Sequence, residues 1–243
     1  MATVLILGGT STIARAIAGE LAARGFDLTL AGRDATELDA VAADLRLRHD
    51  VNTTVHLVDA LAMDAHGAVL APCLTPDLRG VVLAWGVLGD QRRAETDTAE
   101  ARRIIDTNFT SAVTALNAVA AHLAATEGGF VCALSSVAGV RGRRSNYVYG
   151  SAKAALTAYL SGLRARYAAD GVTVLTVIAG IVDTRMSAGM PGAGLAAAPA
   201  SVARSIVRAI ESERNVVYVP WFWRWIMLII RMIPEPVFKR LPL

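Results

Sequence analysis

The chain has 243 residues, of which 54% are hydrophobic and 19% charged, so it is long enough for one globular domain and too apolar to be disordered. Its formal net charge is +3 and no basic block occurs, which argues against nucleic acid as a partner. Cys73 and Cys132 lack the spacing of a zinc site or a disulfide framework, so we predict no metal and a reducing compartment.

No signal peptide and no membrane span are predicted. A signal peptide has a basic segment ahead of its apolar run, and residues 1–7 lack such a segment. No apolar run reaches the roughly 18 residues that a membrane-spanning helix needs. We therefore expect a cytoplasmic protein.

Short β-type runs alternate with long Ala-rich helical stretches along the chain. This alternation is typical of βαβ units, whose right-handed crossovers build a doubly wound parallel sheet. The expected fold class is α/β, with seven strands, helices on both faces and ligands at the carboxyl ends of the strands. The segment 187–198, rich in Gly, Ala and Pro, is a candidate substrate lid. Predicted strands are 3–7, 27–31, 53–58, 80–84, 129–134, 173–178 and 216–219, and predicted helices are 11–24, 35–48, 98–126, 147–169 and 199–211.

The first turn joins strand 3–7 to an Ala-rich helix and is rich in glycine and hydroxyl side chains. Backbone amides at the N-terminus of such a helix can bind a pyrophosphate, and hydroxyl groups can supplement them. The alternative interpretation is an ordinary glycine-bearing turn. The residues predicted to contact cofactor phosphates are Gly8, Thr10, Ser11, Thr12 and Ile13.

The end of the second strand indicates which nicotinamide cofactor is preferred. A site for NAD(H) usually has a carboxylate here, which bonds the ribose 2′-hydroxyl. This chain has Gly32 and Arg33 instead. Because a guanidinium can form a charge-assisted hydrogen bond with a 2′-phosphate, the sequence favours NADP(H) over NAD(H). The alternative is a solvated arginine at a helix start.

The most informative pair of residues is Tyr149 and Lys153. Residues four apart share one helix face, so the phenol and the ammonium can project into one cleft. The ammonium is expected to lower the pKa of the phenol, which makes Tyr149 a usable general acid. The chain has only two lysines, Lys153 and Lys239, so a chance surface pair is the weaker alternative.

These features together resemble the classical short-chain dehydrogenase/reductase family, whose SSxAG segment is similar to residues 135–139. The resemblance implies a Rossmann fold and a catalytic set of Asn108, Ser136, Tyr149 and Lys153. Ser136, thirteen residues before Tyr149, would hold the substrate carbonyl, while Ser135 would be structural. Asn108 would hold a water that connects to Lys153; the alternative for Asn108 is a solvated helix residue.

The resemblance also implies cofactor contacts outside the first turn. Thr12 and Ala14 replace two glycines of the family loop, and the family's NNAG and PG motifs are altered around Trp85 and before Gly180. For Asp59, which would contact the adenine ring, the alternative is a helix N-cap. The implied cofactor contacts are Asp59, Trp85, Gly86, Tyr149, Lys153, Gly180, Ile181, Val182 and Thr184.

The C-terminal part differs in chemistry from the rest. From residue 201 onward there are seven basic and three acidic residues, and 221–225 contains three tryptophans and a phenylalanine. An apolar helix with Trp and Arg fits the lipid–water interface, so 221–240 is a candidate for peripheral contact with the inner face of the membrane. The alternative is packing against the sheet or a second subunit. We divide the chain into a Rossmann domain, 1–220, and an extension, 221–243.

Within the family, the chain is similar to decaprenylphosphoryl-2-keto-erythro-pentose reductases, which serve arabinan precursor synthesis. The similarity lies in 8–11, 85–90, 143–150 and 233–243. The leading hypothesis is an NADPH-dependent carbonyl reductase for a small or lipid-linked substrate, active as a homo-oligomer. The alternatives are a reductase of an unrelated carbonyl compound and a catalytically silent nucleotide-binding sensor.

Overall fold

A computed structural model describes residues 1–187 and 196–241, and one sheet of seven parallel strands forms its centre. The strand order is β3-β2-β1-β4-β5-β6-β7, so the order reverses beside β1. This confirms the predicted doubly wound α/β fold, in which ligands bind at the reversal point. The candidate lid falls largely on 188–195, outside the described residues. The strands are β1 (Thr3–Leu7), β2 (Asp27–Gly32), β3 (Thr53–Leu57), β4 (Leu78–Leu83), β5 (Gly129–Ser136), β6 (Val172–Ala179) and β7 (Val216–Val219).

Helices cover both faces of the sheet, which is why the central strands are mostly apolar and largely buried. One apolar cluster lies under α1, α2 and α8, and a second lies under α6 and α7. The helices are α1 (Thr12–Ala22), α2 (Ala35–His49), α3 (His66–Leu70), α4 (Gln91–Ala94), α5 (Thr98–Ile105), α6 (Ser111–Ala125), α7 (Tyr147–Tyr167), α8 (Pro199–Glu211), α9 (Trp223–Met232) and α10 (Glu235–Phe238).

The single helix predicted over 98–126 is wrong. A π-helical turn, Asp106–Thr110, separates α5 from α6 and contains the buried Asn108. The Asn108 Nδ2 atom donates to the carbonyl oxygens of Val87 at 2.7 Å and Ile104 at 2.8 Å. An apolar helical period does not reveal such a turn, and π turns are frequent at functional sites.

The extension forms α9 and α10 and packs beside the carboxyl end of β6. Trp223 and Met227 are buried against Val137 and Ile178. The opposite side of α9 is exposed. Within residues 1–187 and 196–241, every helix is too short or too polar to cross a membrane.

Arg141 fastens this extension to the loop between β5 and α7. Its guanidinium donates to the carbonyl oxygens of Ile230 and Ile233, the latter at 2.7 Å, and to the Glu235 carboxylate at 2.9 Å. It also lies 3.7 Å from the centre of the Phe238 ring. The carbonyl groups at the end of α9 therefore have a donor from elsewhere in the fold.

Candidate active site

A cavity of about 670 Å³ opens at the carboxyl ends of the central strands. Most of the residues predicted from sequence to form the site line it, although they come from six separate parts of the chain. Gly8, Thr10, Arg33 and Asp59 do not line it. The predicted residues in its wall are Ser11, Thr12, Ile13, Trp85, Gly86, Asn108, Ser136, Tyr149, Lys153, Gly180, Ile181, Val182 and Thr184.

Ser136 ends β5, while Tyr149 and Lys153 lie in the first turns of α7, so one strand end and one helix start meet in the cavity. The Lys153 Nζ atom lies 5.8 Å from the centre of the Tyr149 ring and donates to the Leu134 carbonyl oxygen at 2.9 Å. Ser135 is occupied elsewhere, because its hydroxyl donates to the Lys153 carbonyl oxygen at 3.0 Å.

Burial decides the protonation of this pair. It raises the pKa of Tyr149 to about 12, and a side-chain hydrogen bond with Ser136 offsets part of that rise. Burial also lowers the pKa of Lys153 to about 8. The expectation that Lys153 lowers the pKa of Tyr149 is thus wrong for the chain without cofactor, since removal from water disfavours both charged forms. Tyr149 is fully protonated at neutral pH, as a proton donor requires.

Asn108, Gly86 and Lys153 meet in one corner of the cavity. The Asn108 Oδ1 atom is buried and has no hydrogen-bond partner among the described residues. A Cβ atom on Gly86 would lie 2.7 Å from this oxygen and 3.4 Å from the Lys153 Nζ atom. Glycine at position 86 therefore leaves space between an acceptor and an ammonium, which a larger residue would fill.

The turn after β1 presents the N-terminus of α1 to the cavity. The Ser11 Oγ atom caps this helix by accepting from the Ala14 amide at 3.2 Å. Thr12 begins the helix and lines the cavity, whereas the Ala14 side chain, also on α1, is fully buried between the helix and the sheet. Ala14 stands where the family loop has a glycine, and its methyl group packs in the core and does not line the cavity. The helix amides still point toward a position suited to an anion.

Arg33 and Asp59 lie at the ends of β2 and β3, beyond the cavity wall, and both are exposed. The Asp59 Oδ1 atom accepts from the Leu61 amide at 3.0 Å in a local turn and does not cap a helix. Asp34, the carboxylate nearest to Arg33 in sequence, caps α2 through the Glu37 amide. At the end of β2, the Arg33 guanidinium is therefore exposed, while the adjacent Asp34 carboxylate is hydrogen-bonded to the start of α2.

Three residues near the site were not predicted from the sequence to belong to it. Buried His66 bonds the Asp59 carbonyl oxygen at 3.0 Å, and its ring centre lies 5.7 Å from that of Trp85. Trp223 and Arg143 line the cavity. A lone histidine, one of several tryptophans and one of three arginines in 141–144 carry no local signal of such placement.

The fold and the cavity define a class of protein: nucleotide-dependent enzymes with a doubly wound sheet. The sequence profile described as short chain dehydrogenase matches residues 2–192. An uncharacterized oxidoreductase of Mycobacterium tuberculosis is 40% identical, covering 99% of this chain and 97% of the relative. Another uncharacterized oxidoreductase, from Streptomyces coelicolor, is 38% identical, covering 98% and 95%. The chain belongs to the short-chain dehydrogenase family and is an NAD(P)-dependent oxidoreductase.

The fold comparison agrees. A short-chain dehydrogenase from Sphingobium yanoikuyae, solved in complex with NADPH, superposes with a TM-score of 0.84. The two chains are 23% identical, and the match covers 97% of each. At that identity the likeness establishes the shared fold.

Proposed function

We propose that this chain is an NADPH-dependent reductase of a ketone, with Tyr149 as the proton donor. The observation that carries the proposal is the meeting of Ser136, Tyr149, Lys153 and Asn108 in one cavity that the N-terminus of α1 also borders. When bound, the nicotinamide supplies the hydride. The reverse reaction, oxidation of a secondary alcohol, uses the same groups.

The side chains would divide the work as follows. The Ser136 hydroxyl binds the carbonyl oxygen and stabilises the negative charge that develops on it. Tyr149 donates its phenolic proton to the same oxygen. The Lys153 ammonium stabilises the resulting phenolate, and the unpaired Asn108 oxygen can accept a hydrogen bond from a water beside it.

The residues present fit a dinucleotide. The start of α1 would hold the pyrophosphate through backbone amides and the hydroxyls of Ser11 and Thr12. Gly86 leaves room beside Lys153 for a ribose, and Thr184 lines the cavity next to Gly180. Arg33 would bind the 2′-phosphate, which is the basis of the proposed preference for NADP(H).

A direct assay tests this function. Purified protein should consume NADPH in the presence of ketones, and the corresponding alcohols should form in equal amount. A panel of hydroxyketones, cyclic ketones and keto sugars should include at least one compound that is turned over. Failure of all of them, with NADPH binding intact, would contradict the reductase assignment.

Replacement of Arg33 by Ala is expected to raise the KM for NADPH about tenfold, because a charge-assisted hydrogen bond contributes roughly 1.5–3 kcal/mol. The KM for NADH should stay within about twofold, since that cofactor has no 2′-phosphate for the guanidinium to bind. Steady-state kinetics with both cofactors measure the effect. Arg208→Ala, an exposed arginine on α8, is the matched control. Equal losses for both cofactors would refute the assigned role.

For the substrate we propose a polyprenylphosphoryl 2-keto-pentose, in line with the subfamily resemblance, with a homo-oligomer as the working form. The exposed side of α9 supports a lipid-linked substrate. Trp225, Ile229 and Met232 follow a helical spacing on α9 and are 55%, 66% and 74% exposed. Trp221, in the turn just before α9, is 72% exposed. Arg224, Arg231, Lys239 and Arg240 flank this apolar strip. Such a combination binds an anionic lipid surface.

The double replacement Trp221→Ser/Trp225→Ser is expected to abolish binding to phosphatidylglycerol vesicles and to leave the melting temperature nearly unchanged, because both side chains are exposed. Binding of the unaltered chain should weaken with added salt, since the basic residues contribute a screened attraction. Co-sedimentation measures binding. Leu47→Ser, which removes an 87% exposed apolar side chain on α2, is the control. Unchanged vesicle binding by the double variant would contradict the membrane role.

A further inference from the structure

Arg143 is the feature of the cavity that the proposed reaction does not use. It lies in the loop between β5 and α7, six positions before Tyr149, and its side chain is half-buried in the cavity wall. Its Nε atom is buried without a hydrogen-bond partner among the described residues. The Nη2 atom lies 3.4 Å from the Met227 sulfur, which is a weak acceptor.

The absence of an anionic partner sets Arg143 apart from its neighbour in the same loop. Arg141 bonds two carbonyl groups and the Glu235 carboxylate, so its charge is compensated and its role is to hold the extension. Within the described ranges, Arg143 has no carboxylate within ion-pair distance. Burial also lowers the pKa of Arg143, and no nearby acid offsets that effect. A partly buried, uncompensated guanidinium destabilises a fold unless a ligand pairs with it.

The remaining charges of the cavity have the same sign. Arg143, Lys153 and Arg185 are the ionisable cations in its described wall, and that wall contains no Asp or Glu. Arg185 is exposed and lies 3.8 Å from the Glu37 carboxylate outside the wall, so the half-buried Arg143 and the buried Lys153 are the main contributors. The cavity therefore has a positive field, and low-dielectric walls concentrate it on a bound anion.

Arg143 lies on the side of the cavity where the substrate is expected to bind, away from the predicted phosphate-binding turn. The predicted phosphate-binding residues follow β1, whereas Arg143 follows Ser136 on the β5–α7 loop and contacts α9. The two strands are separated by β4 in the sheet. A substrate held by Ser136 and Tyr149 would thus extend toward Arg143.

We propose that Arg143 binds an anionic group, such as a phosphate, that the substrate carries near its reacting carbonyl. This inference rests on the proposed reductase function and names the substrate class of the same site. A planar guanidinium suits the task because it can form two parallel hydrogen bonds to phosphate or carboxylate oxygens.

Matched ligands test the proposal: dihydroxyacetone phosphate and uncharged dihydroxyacetone, titrated calorimetrically into protein saturated with NADP⁺. The unaltered chain should bind the phosphate ester at least about tenfold more tightly, as a charge-assisted pair provides. Arg143→Met should remove that difference, and Arg143→Lys should restore part of it. The same titration with dihydroxyacetone sulfate and with a keto acid of equal length shows which anion is preferred.

Two controls make the outcome specific. Arg144→Met, at an exposed neighbouring arginine, should change neither ligand's affinity. The Kd of NADPH should stay within about twofold in Arg143→Met, and its melting curve should show a folded protein. Equal affinity of the unaltered chain for the charged and the neutral ketone would overturn the proposal, as would a parallel loss of NADPH affinity. Tight, Arg143-dependent binding without turnover of any ketone would instead refute only the reductase function.

Discussion

Replacement of Tyr149 by Phe is expected to lower kcat for ketone reduction by about 10²–10⁴-fold, because it removes the positioned general acid. The ring itself is buried against Ala138 and Ile104, so the variant keeps the packing and should bind NADPH with an unchanged Kd. Stopped-flow or steady-state NADPH oxidation gives kcat, and cofactor fluorescence gives the Kd. A loss in kcat without a loss in cofactor affinity separates proton transfer from binding.

Tyr147→Phe is the matched control for this variant. Tyr147 lies on the same helix but is 43% exposed and does not line the cavity. Its loss of a hydroxyl should leave kcat unchanged. Near-normal reduction by Tyr149→Phe would end the proton-transfer scheme, and so would an equal loss in both variants.

The second large effect is expected at Gly180. A Cβ atom there would lie 1.9 Å from the Trp223 Nε1 atom and 2.2 Å from its Cδ1 atom. The indole is 6% exposed and cannot move without leaving its pocket. Gly180→Ala should therefore lower the free energy of unfolding by about 1–3 kcal/mol, as overpacking of a core does. Urea denaturation of the protein without cofactor measures this directly.

A double-mutant cycle isolates the contact. In a Trp223→Ala background the same Gly180→Ala change should cost less than about 0.5 kcal/mol, since the clashing ring is gone. Additive costs in the two backgrounds would show that the strain at Gly180 has another origin. Ala179→Gly, one position earlier at the end of β6, serves as a control for a simple backbone effect.

The sheet could be predicted because each strand shows a recognisable pattern in a short stretch of sequence. A strand buried on both faces must be apolar, and β4, β5 and β6 are nearly uninterrupted apolar runs. The Tyr149–Lys153 pair was equally accessible, since helical spacing places the two on one face wherever the helix lies. Ser136 followed from the resemblance of residues 135–139 to the family's SSxAG segment, together with its distance in sequence to Tyr149.

Other features depend on tertiary contacts that no local pattern encodes. Trp221, Trp223 and Trp225 are the same residue type, yet it is Trp223 whose ring packs against Gly180. In the π turn, the Asn108 side chain donates to the Val87 carbonyl oxygen, which lies 21 residues earlier in the chain. The pKa of Tyr149 is raised by burial, which the spacing of Tyr149 and Lys153 in the sequence does not reveal.

The placement of Arg141 and Arg143 two positions apart has a thermodynamic consequence. One guanidinium is fixed to the end of α9, and the other lines the cavity, so the loop between β5 and α7 connects the helix proposed to bind lipid with the candidate active site. If attachment of α9 to a bilayer shifts this loop and thereby strengthens the binding of an anionic substrate, reciprocity requires that substrate to strengthen bilayer attachment by the same factor. The enzyme would then reside longest on the surface where its substrate is abundant.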